Sequence, residues 1–174
     1  MTTPVTRVLR LDDAADLAAL VRDNREFLAP WEPVREEPYF THAGQQAVIA
    51  EVLRQRELGM TEPRVILDGD RVVGRITIHF IARGPFQSCG LGYWVSADVN
   101  GRGLASAAVG EMVRFAFAEL GLHRVEAGTL LHNHRSQRVL ERNGFTRFGV
   151  APRYLNIAGQ YQDHALYQVL ADSH

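Results

Sequence analysis

The sequence predicts an α/β (α+β) fold, a mixed sheet with helices on both of its faces. Three observations carry this. The middle of the chain runs strand, glycine-rich loop, helix, strand over residues 86–130, the order of a parallel crossover. Short apolar runs separated by Asp68-Gly69-Asp70, Arg83-Gly84-Pro85 and Ala158-Gly159 read as antiparallel hairpins. Helix signals mark three further stretches.

In chain order, Thr6 to Leu11 alternates as a first strand. Asp12-Asp13 offers an N-cap, and Ala14, Leu17, Ala18, Leu20 and Val21 then recur at helical spacing up to Asn24. Residues 25–40 contain three prolines and read as a long, aromatic-rich, charged loop. Thr41 caps a second helix that runs to about Leu58 and ends at Gly59. Strands follow at Arg64 to Leu67, Arg71 to Ile81 and Phe86 to Val95. A helix from Leu104 to Leu120 places Val109, Met112, Val113, Ala116 and Phe117 on one face, and Gly121 stops it. Arg124 to Leu130 is a β-branched, apolar strand, and Ser136 to Asn143 is a short helix with Gly144 after its end. Arg147 to Leu155 and Tyr161 to Leu170 close the chain as a hairpin.

With 174 residues, of which 46% are hydrophobic and 22% charged, one globular domain spanning 1–174 is expected. Nineteen basic residues against twenty acidic ones leave a net charge of −1, which argues against direct nucleic-acid binding. No apolar run reaches the length of a membrane span, so no membrane partner is expected. A single cysteine, Cys89, excludes an intrachain disulfide and fits a cytoplasmic location. The sequence is compatible with a monomer or a homodimer.

Asn100-Gly101-Arg102-Gly103-Leu104-Ala105 joins a strand to a helix. Glycines there let the backbone turn and approach a ligand, and the free N–H groups of a helix start attract an anion. Arg102 adds a formal charge. A P-loop would require Gly-Lys-Ser/Thr, which is missing, and a dinucleotide loop would require a third glycine where this chain has Ser106. Taken alone, the stretch is equally an ordinary helix-start turn. His132 and His134 lack the further ligands a metal site needs, and no metal is expected.

A second segment, Asn133-His-Arg-Ser136-Gln-Arg-Val-Leu140-Glu141-Arg-Asn-Gly144-Phe145, lies one strand later. Together the two segments resemble the GCN5-related N-acetyltransferase (GNAT) superfamily, whose acetyl-CoA loop reads Gln/Arg-x-x-Gly-x-Gly/Ala. Asn100 departs from that pattern at its first position. The stretches Asn24 to Arg35, Arg83 to Tyr93, Leu122-His-Arg124 and Gly159 to His164 extend the likeness to nearly the whole chain, and within the family they are similar to the RimJ/RimL branch.

The resemblance implies a mostly antiparallel, twisted seven-stranded sheet and acetyl-CoA as acetyl donor, with no metal. It implies transfer to the N-terminal α-amine of a protein, alanine first in that branch, whose acceptor is a small-subunit ribosomal protein. The alternatives are a small amine or antibiotic as acceptor, or a non-catalytic protein that binds acyl-CoA or takes part in ribosome assembly.

By the same resemblance, the pantetheine arm pairs with the strand at Tyr93, Trp94 and Val95, and a backbone N–H there, that of Val95, meets the thioester oxygen. The pyrophosphate rests on the amides from Gly101 to Ala105. Asn133 and Ser136 face the cofactor arm, and Arg138 meets the 3′-phosphate; Arg135 and Arg142 read rather as a solvated face. Many relatives place a tyrosine acid where this chain has Leu140. Ser136 is then the candidate proton donor to sulfur, with an N-cap role as the other reading. Glu32, stiffened between Pro30-Trp31 and Pro33, is the candidate to bind or deprotonate the acceptor amine, with an acid merely held by Arg35 as the other reading. Trp31, Arg35 and Asp163 complete the expected acceptor side. His79 is expected to be a packed histidine.

Overall fold

The computed structural model describes residues 3–173. Seven strands form one sheet in the order β1-β2-β3-β4-β5-β7-β6. They are β1 (Thr6–Val8), β2 (Glu62–Asp68), β3 (Arg71–Ala82), β4 (Ser88–Val95), β5 (Arg124–Leu130), β6 (Thr146–Ile157) and β7 (Gln160–Leu170). Every pairing is antiparallel except β4 with β5. The helices are α1 (Ala14–Asp23), α2 (Arg25–Leu28), α3 (His42–Glu57), α4 (Leu104–Ala118) and α5 (His134–Arg142).

Strand alternation distributes the core over both faces. On β2, Val65 packs with Leu17 of α1 and Ile49 of α3. The next residue, Ile66, packs with Val109, Met112 and Val113 of α4. Helices therefore cover both faces, as the sequence predicts. Thr41 caps α3, its Oγ1 accepting from Gly44 N at 3.0 Å. At the end of α5, Gly144 sits at φ 78°. Its N–H donates to Glu141 O at 3.1 Å and Phe145 N–H to Leu140 O at 3.1 Å, the paired bonds of a Schellman end.

Four local expectations are corrected. The first strand stops at Val8 rather than Leu11, because Asp13 folds the next residues into a turn. Its carboxylate accepts from Arg10 N at 2.8 Å and pairs with Arg7 at 2.6 Å, and so does not cap α1. The stretch 25–40 is not all loop. A helical turn, α2, fits ahead of Pro30, and a 3-10 turn spans Glu37–Phe40 with Pro38 in its first turn, where a missing N–H is harmless. The second strand begins at Glu62, two residues earlier than expected, because Pro63 is tolerated near the strand start. The short helix begins at His134 with Asn133 as its cap, so Ser136 lies inside it.

Candidate active site

β4 and β5 pair only from Ser88↔Arg124 to Gly90↔Glu126. Beyond that both strands continue, but each stays paired only on its outer side. β4 follows β3 as far as Gly74↔Val95, and β5 follows β7 as far as Leu130↔His164. The inner edges diverge into a throat of about 170 Å³, lined by Leu91–Trp94, Ala127–Leu130, Glu32, Ser136 and Leu140. A larger cavity of about 1120 Å³ continues from Tyr93–Val95 past Asn100 to the first turn of α4 and the face of α5. Ser96 N–H donates to Val73 O at 2.7 Å. Since successive N–H groups on a strand point to opposite edges, that of Val95 is directed into the opening.

The glycine loop is held from a distance. Asn24, buried at the end of α1, accepts from Ala97 N at 2.8 Å and donates to Ser96 Oγ at 3.0 Å. Gly101 and Gly103 then take φ 83° and 84°, a left-handed conformation open to glycine at little cost. Asn100, Gly101, Gly103, Leu104 and Ala105 line the large cavity. The start of the fifteen-residue α4 brings its unpaired N–H groups there. Arg102 does not line it. Its guanidinium pairs with Asp68 at 2.6 Å across the sheet end, so its side chain supplies no charge to the cavity wall. The cations come from α5, where Arg138 lines the wall together with Arg135 and Arg142, two residues read from the sequence as a solvated face.

Asn133 Oδ1 accepts from Ser136 N at 3.2 Å. That assigns the cap to Asn133 and leaves the Ser136 side chain for another role. Its Oγ lies 2.8 Å from the phenol oxygen of Tyr93. Burial pushes that phenol well above the usual tyrosine range, the Ser136 hydroxyl opposing in part. The phenol therefore stays protonated, and since one hydroxyl proton is used between the two side chains, the pair has one left to donate. The sequence reading used only the backbone of Tyr93; nothing local links it to a residue 43 positions later.

On the acceptor side, Trp31 stacks against His132 with ring centroids 5.4 Å apart, and both line the large cavity. Glu32 lines the throat. Its carboxyl is pushed up by burial, against the pull of Arg35 and Arg75. Arg35 Nε stands 4.0 Å from it and the guanidinium lies over the Tyr39 ring, outside both cavities. The Glu32 carbonyl accepts from Ala158 N at 2.9 Å, which fastens the proline-rich loop to the β6–β7 turn. Asp163 also lies outside both cavities, its carboxylate accepting from Arg153 N at 2.9 Å. Alternation on β7 turns its neighbour His164 into the throat instead. His164 Nδ1 stands 2.9 Å from Gln162 O, which can only accept, so Nδ1 donates there.

His79 packs over Gly90, where a Cβ would fall 2.4 Å from its Nε2, and burial lowers its pKa. Burial pushes the Cys89 thiol up to about 12, so it is no nucleophile at neutral pH. Among the described residues no group of three or more His, Cys, Asp or Glu side chains is arranged to hold a metal, and no helix is long and apolar enough to cross a membrane.

The model of the acetyltransferase (GNAT) domain matches residues 5–146. The chain is 34% identical over 97% of its length to the probable N-acetyltransferase YjcK of Bacillus subtilis (strain 168), covering 94% of that protein. It is 35% identical over 93% of its length to the [ribosomal protein uS5]-alanine N-acetyltransferase of Escherichia coli (strain K12), covering 84% of it. Among solved structures, RimJ of Mycobacterium smegmatis in complex with CoA-disulfide superposes with a TM-score of 0.93 at 29% identity, over 96% of this chain and 81% of that one.

Proposed function

We propose, from the premise that this chain belongs to the acetyltransferase (GNAT) family, that its acceptor is the N-terminal α-amine of a protein, one beginning with alanine. The chain is an N-acetyltransferase and acetyl-CoA is its acetyl donor. The cavity suits that donor: two left-handed glycines leave a helix start bare, three arginines stand on the facing helix, and the splayed strands leave an edge for a peptide-like arm. Acetyl-CoA supplies a thioester carbonyl there.

The observation that carries the acceptor reading is Glu32. Among the described residues it is the one acid lining the throat, on a loop that the β6–β7 turn holds in place. An α-amine has a reference pKa of about 8, so a minority is neutral near pH 7 and a weak base suffices. Glu32 binds the ammonium form and takes its proton. Val95 N–H donates to the thioester oxygen as charge develops on it. Ser136, backed by Tyr93, donates toward the departing sulfur. Donor and acceptor are bound together and the transfer is direct. The relatives named for ribosomal-protein alanine support the same acceptor class.

The test is to incubate the protein with acetyl-CoA and alanine-starting ribosomal peptides, follow free thiol, and locate the acetyl group by mass. The expected product carries it on the α-amine, and peptides blocked at that amine release no thiol. No release above background from any of several such peptides refutes the acceptor.

A further inference from the structure

Two buried side-chain atoms among the described residues have no hydrogen-bond partner, Gln45 Oε1 and Thr129 Oγ1. Gln45 lines neither cavity, and its amide N–H is already bonded to Tyr39 O at 2.6 Å. Thr129 is only 5% exposed and lines the throat. Val125 and Ala127 of β5 lie in the α4 core, so alternation puts the Thr129 side chain on that same face. Counting on from Gly90↔Glu126 brings Thr129 level with Tyr93, whose hydroxyl is bonded to Ser136. Leu140, fully buried on the same wall, offers no donor. Tyr93, Ser136 and Thr129 thus all line the throat; the first two hydroxyls hold each other, and that of Thr129 is buried and unbonded. A buried hydroxyl without a partner is unfavourable, and valine would fill the same volume without that cost.

We infer that Thr129 is a further catalytic residue, whose hydroxyl hydrogen-bonds the thioester sulfur of acetyl-CoA and the thiolate that replaces it. In the transfer the acceptor nitrogen bonds to the carbonyl carbon, and the carbon–sulfur bond breaks with its electron pair going to sulfur. The nitrogen gives up its proton to Glu32 or to solvent. Thr129 keeps its own proton and directs it at the charge growing on sulfur; a hydrogen bond to a charged acceptor is among the stronger ones. This rests on acetyl-CoA entering the throat and is independent of the acceptor.

The experiment measures, by calorimetry, the affinity of coenzyme A and of desulfo-coenzyme A for the wild type, Thr129→Val and Thr129→Ser. It is done at roughly pH 7 and roughly pH 9, either side of a free thiol's titration. The wild type is expected to prefer coenzyme A over the desulfo analogue at the higher pH. Thr129→Val loses that preference by about tenfold, the weight of one hydrogen bond to a charged group, and Thr129→Ser keeps it. The desulfo analogue binds all three alike, and Thr129→Val melts no lower than the wild type. With any amine the wild type acetylates, kcat falls in Thr129→Val at unchanged KM for acetyl-CoA and returns in Thr129→Ser. An unchanged preference for coenzyme A in Thr129→Val overturns the assignment. Failure of every peptide N-terminus as acceptor overturns the acceptor reading alone, because the binding measurement still decides Thr129.

Discussion

Replacing Gly103 with alanine separates the glycine's two roles, as a backbone hinge and as bare floor for a ligand. Gly103 is held at φ 84° at the start of α4, and a Cβ built on it meets no atom within 4 Å. The substitution therefore causes no clash within the protein, and its folding cost is that of an L-residue in the left-handed region, about 1–2 kcal/mol. For a domain of this size that lowers Tm by roughly 2–8 °C. Gly121, just beyond the other end of α4, provides the control: φ 63°, no atom within 4 Å, and no place in either cavity. Gly121→Ala is expected to lose a comparable amount of stability. Only at Gly103 does the added methyl enter space beside the helix-start amides, and there acetyl-CoA affinity is expected to fall at least about tenfold, some 1.4 kcal/mol. Melting curves and acetyl-CoA titration calorimetry on the two variants make the comparison. If Gly103→Ala binds acetyl-CoA as tightly as Gly121→Ala, the loop is a helix-start turn and no more.

Arg102→Ala is expected to leave acetyl-CoA affinity unchanged, because its guanidinium is spent on Asp68, whereas Arg138→Ala weakens it several-fold, in a salt-dependent way; titration at two ionic strengths distinguishes them. Glu32→Gln is expected to abolish the acidic limb of the rate profile and most of kcat, since the carboxyl must be ionised to act. Its raised pKa means that the folded protein binds this proton more tightly than the unfolded chain, so ionisation costs stability as pH rises from the ordinary carboxylate value through the raised one. Glu32→Gln should then melt no lower than the wild type near neutral pH, and relatively higher there than in acid; a variant with wild-type rates would leave Glu32 as a mere loop acid. Tyr93→Phe removes the partner of Ser136 Oγ and is expected to lower kcat with little change in KM for acetyl-CoA, read by steady-state kinetics.

What the sequence made legible is what its local physics determines. Gly101 and Gly103 announce positive φ because little else tolerates it, and Gly144 marks a helix end for the same reason. Hairpin punctuation and periodicity located seven strands and four of the five helices. α2 escaped because the prolines around it speak for loop, although the first of them falls after its last residue. Side-chain destinations that depend on partners far along the chain were not legible. Arg102 looks like a phosphate ligand until Asp68, 34 residues earlier, takes its charge. Asn24 carries no local sign that it reaches Ser96, 72 residues on. At Ser136 the sequence left two roles open, and the side chain of Asn133 excludes the cap for it.

The throat opens where it does because the sheet is two paired halves that share only three residue pairs. Val95 N–H and Tyr93 belong to the β3–β4 half; Thr129 and His164 belong to the β5–β7–β6 half, and Asn133 and Ser136 follow directly from β5. The loop that carries Glu32 is fastened to both. Its beginning is held by Asn24 to Ser96 and Ala97 at the end of β4, and its middle by the Glu32 carbonyl to Ala158 at the β6–β7 turn. Residues 25–31 therefore span the splay as a strap, stiffened by a helical turn and by Pro30. Neither half alone carries the residues proposed for the chemistry, since the proposed oxyanion donor, Val95 N–H, sits on one and the proposed sulfur-side hydroxyl, Thr129, on the other. Placing the acid on a strap tied to both halves fixes it relative to both, which a residue on β7 such as Asp163 does not do. The buried Asn24 thus has a use beyond capping space at the end of α1: it sets one end of the strap that positions Glu32.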